Sequence, residues 1–215
     1  MIRFASEDRV IDNPQDRGEP RGDAERPLRA DAQRSLEALL NAAKAVFATS
    51  GVDAPVREIA DTAGVGLATL YRHFPQRSDL ISAVFRREID ACADAAPVLS
   101  ADRTPFAALV GWLQRYAAFV AAKRGLAKAL HSGDPAYDGL SGYFDQRLRP
   151  ALRTLLAAAA AAGEIRADVD ADELLGAVAS LSMSSHNFGP GRAERMVALL
   201  IDGLRYGAGT GEPER

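Results

Sequence analysis

The sequence is poor in the residues that build covalent frameworks, sheets and membrane spans. Cys92 is the only cysteine in 215 residues, so neither an intramolecular disulfide nor a cysteine-based metal cluster can form. It falls on an expected helix, where a small buried apolar residue is a better reading than a redox sensor. No window approaches the roughly 18 consecutive apolar residues of a membrane span. The N-terminus alternates acids and bases and lacks the apolar stretch of a signal peptide. A cytoplasmic protein with no membrane partner is the simplest expectation. Val, Ile and Thr are sparse while alanine runs recur, so propensity favours helix over sheet almost throughout.

Catalytic and metal signatures are missing too. There is no glycine-rich phosphate loop after a strand, no nucleophile elbow and no His-Glu metal motif, which argues against an enzyme. The acidic pair Asp168 and Asp170 stands beside a helix start, where charge–dipole stabilisation accounts for it. His131 and His186 have no partners at metal-ligand spacing, so no metal and no cofactor are expected.

A surplus of positive charge is also lacking. The 26 Lys and Arg are outnumbered by 29 Asp and Glu, a formal net charge of -3, which excludes a protein that coats nucleic acid non-specifically. Within 29–80 the cations Arg29, Arg34, Lys44, Arg57, Arg72 and Arg77 are matched by Asp31, Glu37, Asp53, Glu58, Asp61 and Asp79. Any DNA binding there must come from a few well-placed contacts.

What the chain does contain is helical periodicity. Residues 1–28 read as a disordered arm by composition. Arg17, Arg21 and Arg26 could touch phosphate, but seven acids among them favour a plain solvated tail. A helix over 31–49 carries Leu36, Leu39, Leu40, Ala43 and Phe47 on one face, and Gly51 ends it. Short helices follow over 55–62 and 67–74, separated by Gly64, and Pro75 forces a boundary. Further helices are expected over 77–95, 105–123, 126–131 and 143–162, the last capped by Gly163. Two more run over 171–184, opened by an Asp170–Glu173 capping box, and over 192–206. Residues 209–215 read as a disordered tail. The expected fold is all-α.

Two short helices joined by a tight turn form a helix-turn-helix. In 56–74, Ile59 and Ala60 face inward, Gly64 is free to take positive φ, and Leu70 and Phe74 point to the core. Leu67, Ala68, Thr69, Tyr71, Arg72 and His73 are left on the outward face. That surface suits the major groove: Leu67 and Ala68 can meet thymine methyls and Arg72 a guanine edge. Thr69, Tyr71 and His73 can donate to phosphate oxygens. Spacing alone leaves a second reading open, in which Tyr71 and His73 merely pack a helical hairpin.

The residues themselves carry a resemblance. Ala60, then Gly64-Val65-Gly66-Leu67-Ala68-Thr69-Leu70-Tyr71-Arg72-His73-Phe74-Pro75, Arg77 and Asp79-Leu80 resemble the DNA-binding domain of TetR-family transcriptional regulators. Leu39-Leu40-Asn41-Ala42-Ala43, Phe47 and Gly51 match that family's first helix. The resemblance implies that Thr69, Tyr71 and His73 contact DNA and that Arg77 holds a phosphate. Two departures are visible. Ala54-Pro55 stands where the family often has a hydroxyl, and Gly66 replaces a frequent serine. The stretches 123–140 and 163–170 look like members from high-GC bacteria.

The family pattern implies a three-helix DNA-binding domain over 29–76 and a helical ligand-binding and dimerisation domain over 77–208. It further implies a ligand-responsive regulator, usually a repressor and otherwise an activator, that binds a palindromic double-stranded operator as a homodimer. A helical adaptor that binds only protein is the rival reading. The unidentified small-molecule effector would meet Trp112, Tyr116, Phe119, His131, Tyr143 and Met183, unless these simply fill the core. The dimer would form through Leu174, Val178 and Leu181 on one helix and Val197, Leu200 and Leu204 on the next. Those stripes could be intramolecular core alone, but a dimer is favoured because two readers on a two-fold axis match a palindromic operator.

Overall fold

The computed structural model describes residues 25–122, 137–183 and 191–206, and every regular element among them is an α-helix. The expected arm at 1–24, the short helix at 126–131 with His131, and the tail at 209–215 lie outside the described residues.

Helix α1 (Glu25–Ser50) begins inside the stretch expected to be arm. Pro27 does not oppose this, because a first helical turn needs no N–H from it. Gly51, at φ 79°, ends the helix. Then come α2 (Val56–Ala63), α3 (Leu67–His73) and α4 (Arg77–Ala93). Leu39, Ala42, Ala43 and Val46 of α1 close over Ile59, Ala60, Leu70 and Phe74, with Leu80 and Val84 of α4 completing the cluster. Each fully buried Leu or Ile contributes about 1.5–3 kcal/mol, so this small core supplies much of what holds α2 and α3 in place.

Helix α4 stops earlier than periodicity suggests, and a separate α5 (Ala95–Asp102) follows Asp94. Pro97 sits in the first turn of α5, where its missing N–H is harmless. Helices α6 (Pro105–Ala122), α7 (Asp138–Ala161), α8 (Ala171–Met183) and α9 (Arg192–Gly203) build the rest. The Asp170 half of the expected capping box is present: its Oδ1 accepts from the Asp172 and Glu173 amides at 2.9 and 3.0 Å. Asp168 is paired with Arg166 at 2.5 Å, and that hydrogen bond holds its carboxyl below the usual range.

Helix α6 packs against α4, α5, α7, α8 and α9, which makes it the centre of the larger core. Leu109, Trp112, Leu113 and Tyr116 are its innermost residues. Helix α4 belongs to both cores: Leu80 and Val84 face the first cluster, while Ile81, Phe85 and Ile89 face the second. A boundary at 76/77 therefore leaves a helix that is packed on both sides of it.

Candidate nucleic-acid interface

The turn between α2 and α3 is built by two glycines doing different work. Gly64 adopts φ 68°, its amide bonding back to Ala60 and Asp61, while Val65 N reaches the Ala60 carbonyl at 3.1 Å. A Cβ at Gly64 would meet nothing within 4 Å, so glycine is required there by conformation and not by space. Gly66 is extended and its carbonyl starts α3, accepting from Thr69 N at 2.9 Å and Leu70 N at 3.2 Å.

Helix α3 is anchored through Leu70, 1% exposed, and by Phe74 just beyond its end. Ala68, Tyr71 and Arg72 are exposed, Tyr71 to 48%. Thr69 and His73 are half-buried at the edge of that face. Leu67 departs from expectation: it is half-buried and packs against the core, because the first turn of so short a helix lies close to α1 and α2. Arg72 has no ion-pair partner among the described residues, and neither has Arg57 on α2. Arg57 was not assigned by sequence reasoning. The available signal was that it and Arg72 are the only arginines within 56–74.

Arg77 has a structural task. Its Nε donates to the Val52 carbonyl at 2.8 Å, and Nη2 donates to the Val52 and Ala54 carbonyls. The phosphate contact that the resemblance implies would have to share this guanidinium. Beside it, Gln76 and Asp79 form a capping box, with Gln76 N donating to Asp79 Oδ2 at 2.9 Å. The start of α4 thus fixes both the loop before α2 and the chain leaving α3.

Residues 39–84 match the model of bacterial regulatory proteins of the tetR family, and 104–206 match the C-terminal domain of SbtR-like transcriptional regulators. A TetR transcriptional regulator of known structure from Streptomyces coelicolor is 40% identical, with a TM-score of 0.68, covering 79% of this chain and 97% of that one. The chain belongs to the TetR family. A second TetR regulator, from Mycobacterium vanbaalenii, is 37% identical at a TM-score of 0.64, covering 83% and 99% of the two chains. The HTH-type transcriptional repressor KstR of Mycobacterium tuberculosis is 39% identical over 100 residues, 43% of this chain. That match spans 44% of the repressor's own length.

This TetR-family chain is a DNA-binding transcriptional regulator, with an N-terminal helix-turn-helix and a C-terminal helical domain. Among the described residues no helix is long and apolar enough to cross a membrane.

The aromatic residues expected in a pocket are packed as core. Trp112 stacks on Tyr116 at 5.7 Å and donates through Nε1 to the Cys92 carbonyl at 2.9 Å. Tyr116 donates to the Leu175 carbonyl at 3.3 Å and also touches Phe119 and Phe144. Burial raises the Tyr116 pKa above its ordinary value. Tyr143 donates to Asp90 at 2.6 Å, and the carboxylate hydrogen bond raises its pKa. Met183 is exposed to 54%. None of these lines the cleft between α5 and α7 or the smaller one beside Arg153 and Ile165. His131 lies outside the described residues.

The residues expected at a dimer interface also turn inward. Leu174, Val178, Val197 and Leu204 are buried within the protomer core, and Leu181 and Leu200 pack against it half-buried. The apolar residues left in the open are on the other side of the same helices: Met183 on α8, and Met196 and Leu199 on α9, Leu199 to 66%. Gly176 and Ser180 of α8 and Gly203 of α9 are exposed with them. Periodicity shows that a face is apolar, not what covers it.

Proposed function

We propose that this regulator is a repressor that binds a palindromic operator as a homodimer and is released by a small molecule. The carrying observation is the outward face of α3. Ala68, Tyr71 and Arg72, which has no ion-pair partner among the described residues, stand in the open on a helix whose other side is locked by Leu70. A half-exposed tyrosine beside an exposed guanidinium suits a major groove: Arg72 reads a guanine edge, while Thr69, Tyr71 and His73 hold phosphates. Ala68 and the exposed part of Leu67 meet thymine methyls. Arg57 adds a cation at the start of α2.

One such head is a weak reader, because the surrounding charge is balanced and supplies no bulk attraction. Two heads on a two-fold axis would read half-sites one helical turn, about 34–36 Å, apart. The exposed Met183, Met196 and Leu199 support pairing through α8 and α9, with Gly176, Ser180 and Gly203 allowing close approach. The experiment is selection of bound duplexes from a random pool by the full chain. An enriched inverted repeat is expected. No enrichment, or a single unrepeated half-site, overturns the reading.

A further inference from the structure

We propose that the open cleft between α5 and the middle of α7 is the effector site, and that it takes a lipophilic amine: a cationic nitrogen on a compact apolar body. This rests on the effector-released reading above. The cleft measures about 670 Å³, within the roughly 300–1,000 Å³ typical of small-molecule sites. Its apolar walls are Ala93, Ala96, Pro97 and Ala101 on one side and Pro150 and Ala151 on the other. Such short side chains leave room for a bulky body.

The polar lining selects a cation. Asp94 offers a carboxylate that is exposed at the cleft. Pro150 has no N–H, so it cannot supply the helical hydrogen bond to the Gln146 carbonyl, and both residues line the cleft. Thr154 spends its proton on the Pro150 carbonyl at 3.0 Å and presents lone pairs. The one cation lining the cleft, Arg147, is already committed: Nε donates to Asp90 at 2.7 Å and Nη2 to Asp94 at 2.6 Å. Asp90 also accepts from Tyr143, over whose ring Arg86 lies at 5.1 Å, away from the cleft lining. Ser100 and Gln146 offer donors as well as acceptors, so charge does the selecting: two carboxylates, Asp90 and Asp94, share the one guanidinium of Arg147. An ammonium satisfies this set and a carboxylate repels it.

An amine bound to Asp94 takes that carboxylate from Arg147 and leaves the arginine with Asp90 alone. Arg147 ties α7 to the end of α4. The beginning of α4 carries Arg77, Leu80 and Val84 into the DNA-reading unit. Half of the α4–α7 tie is therefore exchanged for ligand contact at the far end of the helix that positions α3.

The test is calorimetric titration of the full chain, without DNA, using phenylpropylamine, phenylpropanol and phenylpropionate, which share one apolar body. The amine is expected to bind about tenfold tighter than the alcohol, and the carboxylate not at all. Asp94→Asn should weaken the amine about tenfold and leave the alcohol unchanged. Ala101→Trp, on an exposed wall, should block both with an unchanged melting temperature. Equal binding of the carboxylate, undiminished binding to Ala101→Trp, or no binding by any probe overturns the site. A second titration adds the amine to the protein on its selected duplex. Amine binding without DNA release overturns the effector role. Failure to hold DNA before any amine is added overturns the operator reading instead.

Discussion

The guanidinium of Arg77, in the first turn of α4, holds the main-chain carbonyls of Val52 and Ala54, residues 25 and 23 positions earlier in the chain. Val52 and Ala54 are both buried. A side chain expected to face phosphate therefore fastens the loop that delivers α2, and the DNA-reading unit depends on α4 for its shape.

Removing that clamp should cost folding stability. Arg77→Ala leaves two buried-loop carbonyls without their charged donor, worth about 1.5–3 kcal/mol for hydrogen bonds to a charged group. The urea midpoint of the full chain is expected to fall. A purely phosphate-binding Arg77 would leave the midpoint in place and lower only the salt slope of DNA binding, by about one.

The outward face of α3 should separate into anchoring and reading residues. Tyr71→Ala or His73→Ala is expected to weaken binding on all duplexes and to flatten its salt dependence, with folding intact. Arg72→Ala should instead change the sequence preference more than the non-specific affinity. If selection with the Arg72 variant returns the same consensus, Arg72 does not read a base.

Opposite sides of α8 and α9 should respond differently to substitution. Leu199→Asp places charge on the exposed side and is expected to shift sedimentation from dimer to monomer with the protomer still folded. Leu174→Ala opens a cavity in the protomer core and should lower stability by about 2–5 kcal/mol. A Leu199→Asp protein that still sediments as a dimer would remove this face from the interface.

Alkaline pH should loosen the body through Tyr116. Burial raises its pKa above the ordinary 10.0, so the folded state favours the neutral phenol. The sign follows from linkage: stability is fully present below pH 10.0 and is lost as pH rises towards the folded value, because the unfolded chain ionises first. Thermal melts of Tyr116→Phe and the parent chain should converge as pH rises past that point. The variant starts lower by about 0.5–1.5 kcal/mol for the lost hydrogen bond to the Leu175 carbonyl. Parallel curves would mean that Tyr116 does not control the alkaline loss.

Much of this protein was determined by sequence alone, where the deciding physics is local. Periodicity marked most of the helices, and Gly64 announced a turn because few other residues accept positive φ. The run from Leu67 to Phe74 placed Leu70 inward and Tyr71 and Arg72 outward through helical spacing alone. The shared boundary of α4 and α5 was missed because Pro97 is tolerated in a first turn. Only the tertiary structure decided what covers each apolar face. Leu174, Val178, Val197 and Leu204 would make the same stripe against a second copy or against α6, and packing assigns them to the protomer. Trp112 and Tyr116 likewise fill the core. The tie from Arg147 to Asp90 spans 57 positions, and no local pattern records a partner that far away. The same holds for Arg77, whose partners are carbonyls, groups that every residue carries and no sequence motif can mark.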